Sequence, residues 1–434
     1  MKTKLLTTGC RTVKTATPLV PLLLLATMSI LVGAGASYGE TLVHSSARSA
    51  AMGGAFTALA EGVNAARYNP ANLGLTDFRS DGIELFAVGA SITNNSFTLS
   101  DYNNYTGAVL STEDKADIMS KIPTEGLRLD ADIEASAASV SYGSFAFSLT
   151  GVGAADINLN RDIVDVIFNG NQMDDTIQIT GSYSDGTSYA VAGLSWGMPI
   201  YSSGNRQLSV GLTAKYIRGI ATEELVDLEA QAMTTPLGFT GEGTVVVRTA
   251  GGGSGYGLDL GAALQISKDY TVGIRLQNVL GHISWNNNPE EHGYIYNLDL
   301  ATYDDMEDDD FDDAEDYTID IEPFRTTMPT KMNVGFANTS GKLIWAIDWT
   351  QGLENTPGTS TKPALAMGAE YQLVSFLPVR AGYSVGADKN AAFSFGSGLK
   401  FLGFYLDAAV LTGTSGTLYS AKGASFAVST GMSF

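Results

Sequence analysis

Apolar and polar residues alternate along most of the chain, in segments of about ten residues. In the last segment one set of alternating positions is mostly apolar and the other is small or polar. These sets are Ala424, Phe426, Val428, Thr430, Met432 and Phe434, against Ser425, Ala427, Ser429, Gly431 and Ser433. Because successive side chains of a strand point to opposite faces, the pattern predicts a β-strand with two unlike faces. About ten residues is also the length that a tilted strand needs to cross a bilayer.

The same alternation occurs at 208–216, 258–266, 272–277, 343–350 and 402–410. In these segments charged residues share the second face with glycines, which suits a polar barrel lumen better than the dry core of a soluble β-sandwich. Further strands are expected at 82–92, 133–142, 144–152, 187–198, 243–250, 330–338, 364–373, 378–385 and 391–400. The count is fourteen or fifteen, and since single-chain bacterial barrels prefer even numbers we predict fourteen.

Four stretches do not have the pattern of a strand. Residues 40–80 are small and partly helical, and 111–122 has the signature of a short capped helix. The glycine-rich stretch 251–257 predicts a turn, and 283–328 predicts a long polar loop. The predicted fold class is therefore all-β, a transmembrane antiparallel β-barrel of about fourteen strands with a small, partly helical N-terminal plug.

The N-terminus has the order of a secretory signal peptide. Four basic residues between positions 2 and 14 precede an apolar run at 19–32, and small residues follow at 34–39. The run is too short and too interrupted for a transmembrane helix. We therefore expect a signal peptide at 1–39, a plug at 40–80 and an outer-membrane barrel at 81–434. The only cysteine, Cys10, lies in the leader, so disulfides, zinc–thiolate sites and cysteine nucleophiles are excluded from the mature chain.

The composition narrows the function classes. A formal net charge of −21 argues against nucleic acid, whose phosphates require a basic surface. The chain is 44% hydrophobic and only 16% charged, which excludes a disordered acidic protein. Its 49 glycines and 19 tyrosines fit many strands, turns and aromatic girdles. We find no constellation that predicts an enzyme, and no cofactor is expected.

Two short motifs precede the first predicted strand. Met52-Gly53-Gly54 lies within 47–60, and Asn69-Pro70-Ala71 follows shortly afterwards. Together they resemble the start of barrels in the long-chain fatty-acid transporter superfamily, which includes the barrel component of type IX secretion. In the transporters the Asn-Pro-Ala element lies in a hatch that plugs the lumen. The resemblance covers about 30 residues closely. The remainder of the chain supports it only through the strand pattern and the terminal Phe434.

The resemblance implies a plug or hatch role for a small set of residues. They are Met52, Gly53, Gly54, Asn69, Pro70 and Ala71. The family's ligand pockets have no residue matches in this chain, so none is carried over. Independently of the family, Asn69 is suited to cap a helix that begins at Pro70, and Gly53 and Gly54 allow positive φ or close backbone contact. A plain loop, turn and helix without a gating role is the alternative.

The terminal strand also bears on assembly. A chain that ends on an aromatic residue within such a strand resembles the closing strand of a bacterial outer-membrane barrel. Phe434 is therefore the expected membrane-insertion terminus. The partners expected from this reading are outer-membrane lipid and the barrel assembly machinery, which would recognise the C-terminal strand.

The predicted loop 283–328 contains the densest run of acidic residues. It includes Asp308, Asp309, Asp310, Asp312 and Asp313. Clustered carboxylates make this run a weak calcium candidate, but it lacks the spaced ligands, central glycine and closing glutamate of an EF-hand. A solvated, mutually repelling surface loop is the favoured interpretation.

Two functions remain from the sequence. The first is a barrel that passes hydrophobic, fatty-acid-like small molecules through a plugged lumen, with Arg128 and Lys215 as weak candidates to pair with a ligand carboxylate. The alternative is a non-transporting barrel that anchors or shuttles exported proteins, with 283–328 as the partner surface. A continuous apolar cavity behind the plug would favour transport. A polar, filled lumen below an exposed loop platform would favour partner binding.

Overall fold

The computed structural model describes residues 45–302, 314–354, 361–386, 389–413 and 418–434. The predicted signal peptide and the five aspartates of the calcium candidate lie outside these residues. The described strands form one antiparallel sheet. They are β1 Gly82–Asn94, β2 Leu127–Tyr142, β3 Phe145–Leu159, β4 Thr176–Gln178, β5 Tyr183–Ser203, β6 Arg206–Thr235, β7 Gly238–Ala250, β8 Gly253–Gln265, β9 Tyr270–Trp285, β10 Glu290–Ala301, β11 Ala314–Asp320, β12 Phe324–Thr327, β13 Lys331–Asn338, β14 Leu343–Gly352, β15 Ala364–Val374, β16 Leu377–Gly386, β17 Lys389–Phe401, β18 Phe404–Thr412 and β19 Gly423–Ser433.

The described helices are short. The α-helices are α1 Ala47–Ala51, α2 Val63–Tyr68, α3 Leu99–Tyr105, α4 Thr112–Lys121 and α5 Arg161–Asn169. The 3₁₀ helices are η1 Pro70–Gly74, η2 Thr76–Phe78 and η3 Leu418–Ser420. Helix α4 confirms the helix predicted at 111–122, because Ser111 and Asp114 form a capping box. No helix in the described ranges has the length and apolar character needed to cross a membrane.

Fourteen of these strands close into a ring. Each of β1, β2, β3, β5, β6, β8, β9 and β13 to β19 pairs with the next strand in that order. The terminal strand β19 then pairs with β1, from Gly82 opposite Ser433 to Thr93 opposite Gly423. The prediction of a closed fourteen-stranded antiparallel barrel is confirmed.

The two faces of the barrel follow the alternation in the sequence. On β18 and β19, Leu406 is 48% and Phe426 53% exposed, whereas the neighbouring Asp407 and Ser425 are buried. Apolar side chains on the outer face of the ring are exposed in the same way, which requires a hydrocarbon environment around the barrel. The inner face carries small and charged residues. These faces are those of a transmembrane barrel.

One predicted barrel strand lies outside the ring. Segment 243–250 belongs to β7, which pairs with the distal half of β6 and with β10. Strands β4, distal β6, β7, β10 and β11 extend the sheet beyond the ring, and we call this group the extension. Its core contains Ile179, Ala230, Tyr296 and Leu298. The assignment of 243–250 to the barrel was wrong because alternation records the faces of a strand and not its partners.

The expected loop 283–328 is also largely strand. It contains the end of β9 and all of β10, β11 and β12. The prediction was based on the polar composition of this stretch and overlooked Tyr296 and Leu298. Both are buried and lie two positions apart, which is the spacing that indicates strand β10. The turn expected at 251–257 is corrected as well, since β8 already begins at Gly253.

The two ends of the barrel differ. One end carries short connections, such as 143–144, 204–205 and 402–403, and we call it the short-turn end. The other end carries the extension and helices α3, α4 and α5, and we call it the long-loop end. These helices share a small core that includes Ile118, Ile122 and Val164.

Candidate functional site

Residues 45–80, which precede β1, lie inside the barrel, and we call them the luminal segment. Helix α1 contacts β16 to β19, α2 contacts β1 to β3 and β5, and η1 contacts β5, β6 and β8. Met52, Phe56, Asn69 and Leu73 are each at most 1% exposed. The partly helical N-terminal element expected from the sequence therefore fills part of the lumen.

A row of strand glycines makes room for this segment, and we call it the glycine belt. A methyl group on Gly211 would lie 2.3 Å from the Pro70 carbonyl carbon, and one on Gly382 would lie 2.3 Å from the Gly53 nitrogen. Both distances are far below carbon contact distance, so only glycine permits this approach. The belt consists of Gly197, Gly211, Gly261, Gly273, Gly335, Gly368, Gly382 and Gly396.

The belt runs along neighbouring strands. Gly197 lies opposite Gly211, and Gly211 lies opposite Gly261. Gly335 of β13 lies opposite Gly273 of β9 in the same manner. The side of the lumen that these strands form is therefore shaped to the backbone of the luminal segment.

Five of the six residues predicted as plug or hatch contact the belt or its surroundings, and the sixth, Gly54, donates its N–H to the Ser49 carbonyl at 3.0 Å. Met52 covers Gly368, and Gly53 and Gly54 adopt φ of +67° and +89°. Asn69 accepts a hydrogen bond from the Ala71 N–H at 3.2 Å and donates one to the Ala262 carbonyl at 3.2 Å. It thereby caps η1 at Pro70, as the sequence indicated, although the helix is 3₁₀. Their role in gating stays a prediction.

Asp348 of β14 holds the middle of the luminal segment. Its Oδ2 accepts hydrogen bonds from the N–H groups of Phe56, at 3.0 Å, and Thr57, at 2.8 Å. The side chain is buried, and its Oδ1 has no hydrogen-bond partner in the described structure. Hydrogen bonds to a charged acceptor are stronger than neutral ones, so Asp348 is an anchor for this backbone.

Arg67 of α2 joins the luminal segment to β1. Its Nη1 and Nη2 donate to the two Glu84 carboxylate oxygens at 2.8 and 2.7 Å. The side chains of Arg67 and Glu84 are only 9% and 1% exposed. An arginine stays charged in proteins, and the Glu84 carboxylate balances the guanidinium that burial removes from water. This is a bidentate, buried ion pair.

Arg48 of α1 makes a second ionic connection, at the short-turn end. It donates to Glu370 of β15 at 2.8 Å and to Glu61 of the luminal segment at 2.6 Å. Glu370 also accepts from Arg380 at 2.6 Å, and Arg380 donates to Asp407 at 2.6 Å. The luminal segment is therefore tied into a charge network on the barrel wall.

Two cavities flank the luminal segment. The first has a volume of about 280 Å³, lies toward the long-loop end and is lined by Ala66, Arg67 and Tyr68 of α2. We call it the loop-side cavity. The second, the turn-side cavity, has a volume of about 410 Å³ and is lined by Gly62, Val63 and Asn64 together with wall residues such as Phe401 and Phe404. The luminal segment separates them.

The wall of the loop-side cavity is mixed rather than apolar. Tyr189, Val191, Val152 and Met328 line it beside charged residues. Lys215 and Arg275 each bind Asp259, at 2.6 and 2.5 Å, and Lys215 also donates to Asn278 at 2.9 Å. The lumen therefore lacks, among the described residues, the continuous apolar cavity that we expected from the sequence if the barrel transports hydrophobic molecules.

The two candidate ligand cations have partners in the protein. Lys215 binds Asp259 inside the cavity, and Arg128 binds Asp156 of β3 near the long-loop end. Among the described residues no group of three or more His, Cys, Asp or Glu side chains is arranged to hold a metal ion.

Sequence reasoning missed the residues that fix the segment. Arg48, Arg67, Glu84 and Asp348 were not singled out, although the strand carboxylates had a signal. Glu84 and Asp348 are isolated charges on the glycine-bearing face of strands that are otherwise apolar and small. A charge at such a position predicts a luminal partner.

Comparison with known proteins places the chain in a family. Residues 70–251 and 238–408 match the sequence model of a family of unknown function (DUF5723), and together they cover more than half of the chain. The chain belongs to this family. No sequence among the curated proteins matches the chain.

Solved structures with the same architecture include two toluene transporters. The Ralstonia pickettii toluene transporter TbuX aligns with a TM-score of 0.53 at 13% identity, covering 89% of this chain and 97% of the transporter. The Pseudomonas putida toluene transporter TodX aligns with a TM-score of 0.51 at 13% identity, covering 92% and 99%. Identity at this level establishes the fold alone. The resemblance to secretion barrels stays a prediction.

Proposed function

We propose that this protein is an outer-membrane channel for hydrophobic small molecules, in which the luminal segment is the closed gate. The observation that carries this is the pair of cavities on either side of residues 45–80. A barrel that needed only rigidity would be served by a filled lumen. Two spaces separated by a thin element instead provide an interrupted route.

The orientation follows from the two ends. Short turns face the periplasm in bacterial barrels and long loops face outside. The loop-side cavity would therefore receive the molecule, and the turn-side cavity would release it. The toluene transporters of the same fold support a hydrophobic cargo. The charged residues of the loop-side cavity suit a molecule that also carries a polar group, which Lys215 or Arg275 would contact.

Export would depend on the predicted signal peptide at 1–39, and the plug and barrel would divide near residue 80. Phe434 is 69% exposed on the outer surface, where the barrel assembly machinery and lipid would meet it. The described residues carry no feature that leads us to propose catalysis.

A second candidate function has its own observation. The extension stands beyond the ring, and its exposed side chains include Glu224, Asp227 and Glu229. Together with the mixed lumen, this fits a barrel that anchors or shuttles exported proteins on an acidic platform. A partner of opposite charge would be expected.

Native mass spectrometry of protein purified from outer membranes separates the two. A co-purifying apolar molecule that is lost when the luminal segment is altered supports the channel. A stoichiometric protein companion without a small ligand would overturn it in favour of the anchor. Asp227→Asn, on the extension, is the matched control that should leave any luminal ligand in place.

A further inference from the structure

The luminal segment is not held uniformly. The glycine belt contacts residues 51–53, 57–58 and 69–74, where the wall and the segment meet backbone to backbone. The first of these stretches also provides the Ala51 carbonyl that accepts a hydrogen bond from Ser394 at 3.0 Å. Ser209 likewise donates to the Ala71 carbonyl at 2.6 Å. Displacing these stretches would break close packing over several strands at once.

Helix α2 lies between these fixed stretches and on the partition between the cavities. Its C-terminal residues line the loop-side cavity, and its N-terminal residues line the turn-side cavity. It is preceded by Gly62 at φ +54°, a conformation that glycine adopts without strain, and followed by the extended Asn69. A six-residue helix between two such residues has a pivot at each end.

In the described structure, polar contacts join α2 to the wall through Arg67 and through Ala66. Arg67 makes the bidentate pair with Glu84, and Thr213 donates to the Ala66 carbonyl at 3.3 Å. The Arg67 side chain is only 9% exposed, and its Nε is buried without a hydrogen-bond acceptor in the described structure. The Arg67–Glu84 pair is therefore the charged attachment of α2 to the wall. The helix also packs through Ala65 and Ala66, and through Tyr68, whose ring meets that of Phe56 edge-on with the centroids 5.1 Å apart.

We propose that α2 is the moving part of the gate and that the Arg67–Glu84 pair is its latch, while 51–58 and 69–74 stay on the glycine belt. This rests on the proposed channel function. When the latch opens, α2 pivots about Gly62 and Asn69, and the two cavities join into one aqueous path. The rest of the luminal segment keeps its place.

Two cross-links in a Cys10→Ser background test this assignment. Arg67→Cys with Glu84→Cys, bridged by a bismaleimide, fixes α2 to β1. Ala51→Cys with Ser394→Cys, joined as a disulfide, fixes the belt-held stretch. Potassium chloride conductance of single barrels in planar bilayers reports whether the cavities join. The readout needs no native ligand.

The α2 cross-link is expected to abolish opening, and the belt cross-link is expected to leave opening unchanged. Before bridging, the Arg67→Cys, Glu84→Cys protein lacks its latch and should open about tenfold more often than the parent, a change that follows from losing a charge-assisted pair. Loss of opening with the belt cross-link, or persistent opening with the α2 cross-link, would overturn the assignment.

Failure of the channel function has a different signature. In that case neither the parent nor any unbridged variant conducts, whatever the cross-links do. The double variant Arg67→Gln, Glu84→Gln is the control for misfolding of the cysteine protein. It removes both charges together and keeps neutral hydrogen-bonding groups in their place. It should show the heat-modifiable mobility of a closed barrel and the same increase in opening. Unchanged opening in this folded variant would also refute the latch.

Discussion

Replacing Asp348 with alanine tests how the luminal segment is anchored. The substitution removes the acceptor of the Phe56 and Thr57 N–H groups, which lie 3.0 and 2.8 Å from Oδ2. Each hydrogen bond to a charged group contributes about 1.5–3 kcal/mol, so the gross loss is about 3–6 kcal/mol. Asp348 has no cationic partner among the described residues, so removing its buried carboxylate returns several kcal/mol of desolvation free energy.

Both terms act on the contact between segment and wall, because the luminal segment covers the Asp348 side chain and its docking removes the carboxylate from water. The desolvation term therefore offsets part of the hydrogen-bond loss. The stability of the closed ring, which rests on strand pairing, should change little. Taking about 2 kcal/mol as the net loss at that contact, the population of displaced segment rises by a factor of about 30.

Planar-bilayer conductance and heat-modifiable mobility measure these effects separately. We expect Asp348→Ala to conduct more often than the parent while it keeps the mobility of a folded barrel. Asp348→Asn, which retains one acceptor oxygen, should lie between them, and Asp227→Ala on the extension is the control. Parent-like conductance in a correctly folded Asp348→Ala barrel would show that these hydrogen bonds do not hold the segment.

Three further outcomes are expected. In Gly382→Val the new Cβ would lie 2.3 Å from the Gly53 nitrogen, so the side chain should displace the luminal segment. Trypsin should then cleave this segment in membrane-inserted protein. Full protection from trypsin would contradict the inference that the glycine belt makes room for the segment. Burial raises the pKa of Asp101, but the hydrogen bonds from Lys121 and Thr98 together lower it by more, so the pKa lies below its usual value. The stabilisation from Asp101 is present above about pH 4 and lost as pH falls through the folded pKa, so α3 should become a pepsin site near pH 2 but not near pH 4.5. Deleting Phe434 should lower the yield of heat-modifiable barrel in outer membranes, and an unchanged yield would rule out its role as the insertion terminus.

The barrel was predictable from the sequence because alternation is a local property. At 402–410, Leu406 and Asp407 occupy successive positions of the alternating pattern, which assigns the first side chain to lipid and the second to the lumen. The structure places them in this way. Segment 243–250 shows the limit of this reasoning. Its strand character was predicted correctly, but its partners, the distal half of β6 and β10, lie outside the ring, and pairing depends on contacts distant in sequence.

The site was predictable only where its chemistry is local. The cap that Asn69 provides at Pro70 depends on adjacent residues, so the motif was sufficient. The contact between Asp348 and Phe56 joins residues almost 300 positions apart and is set by barrel closure. The glycine belt could not be recognised either, because a glycine in a strand shows only that a side chain is absent and not what occupies its place.

The position of α1 bears on the order of assembly. This helix is made before every strand, yet it packs Ala47, Ala50 and Ala51 against Ala409, Leu411 and Ala427 of the last two strands. The Ala47 N–H also donates to Ser429 of β19 at 3.2 Å. The contacts that hold α1 are therefore complete only after the last strands have been synthesised and β19 pairs with β1. Closing the ring joins both ends of the chain around this helix.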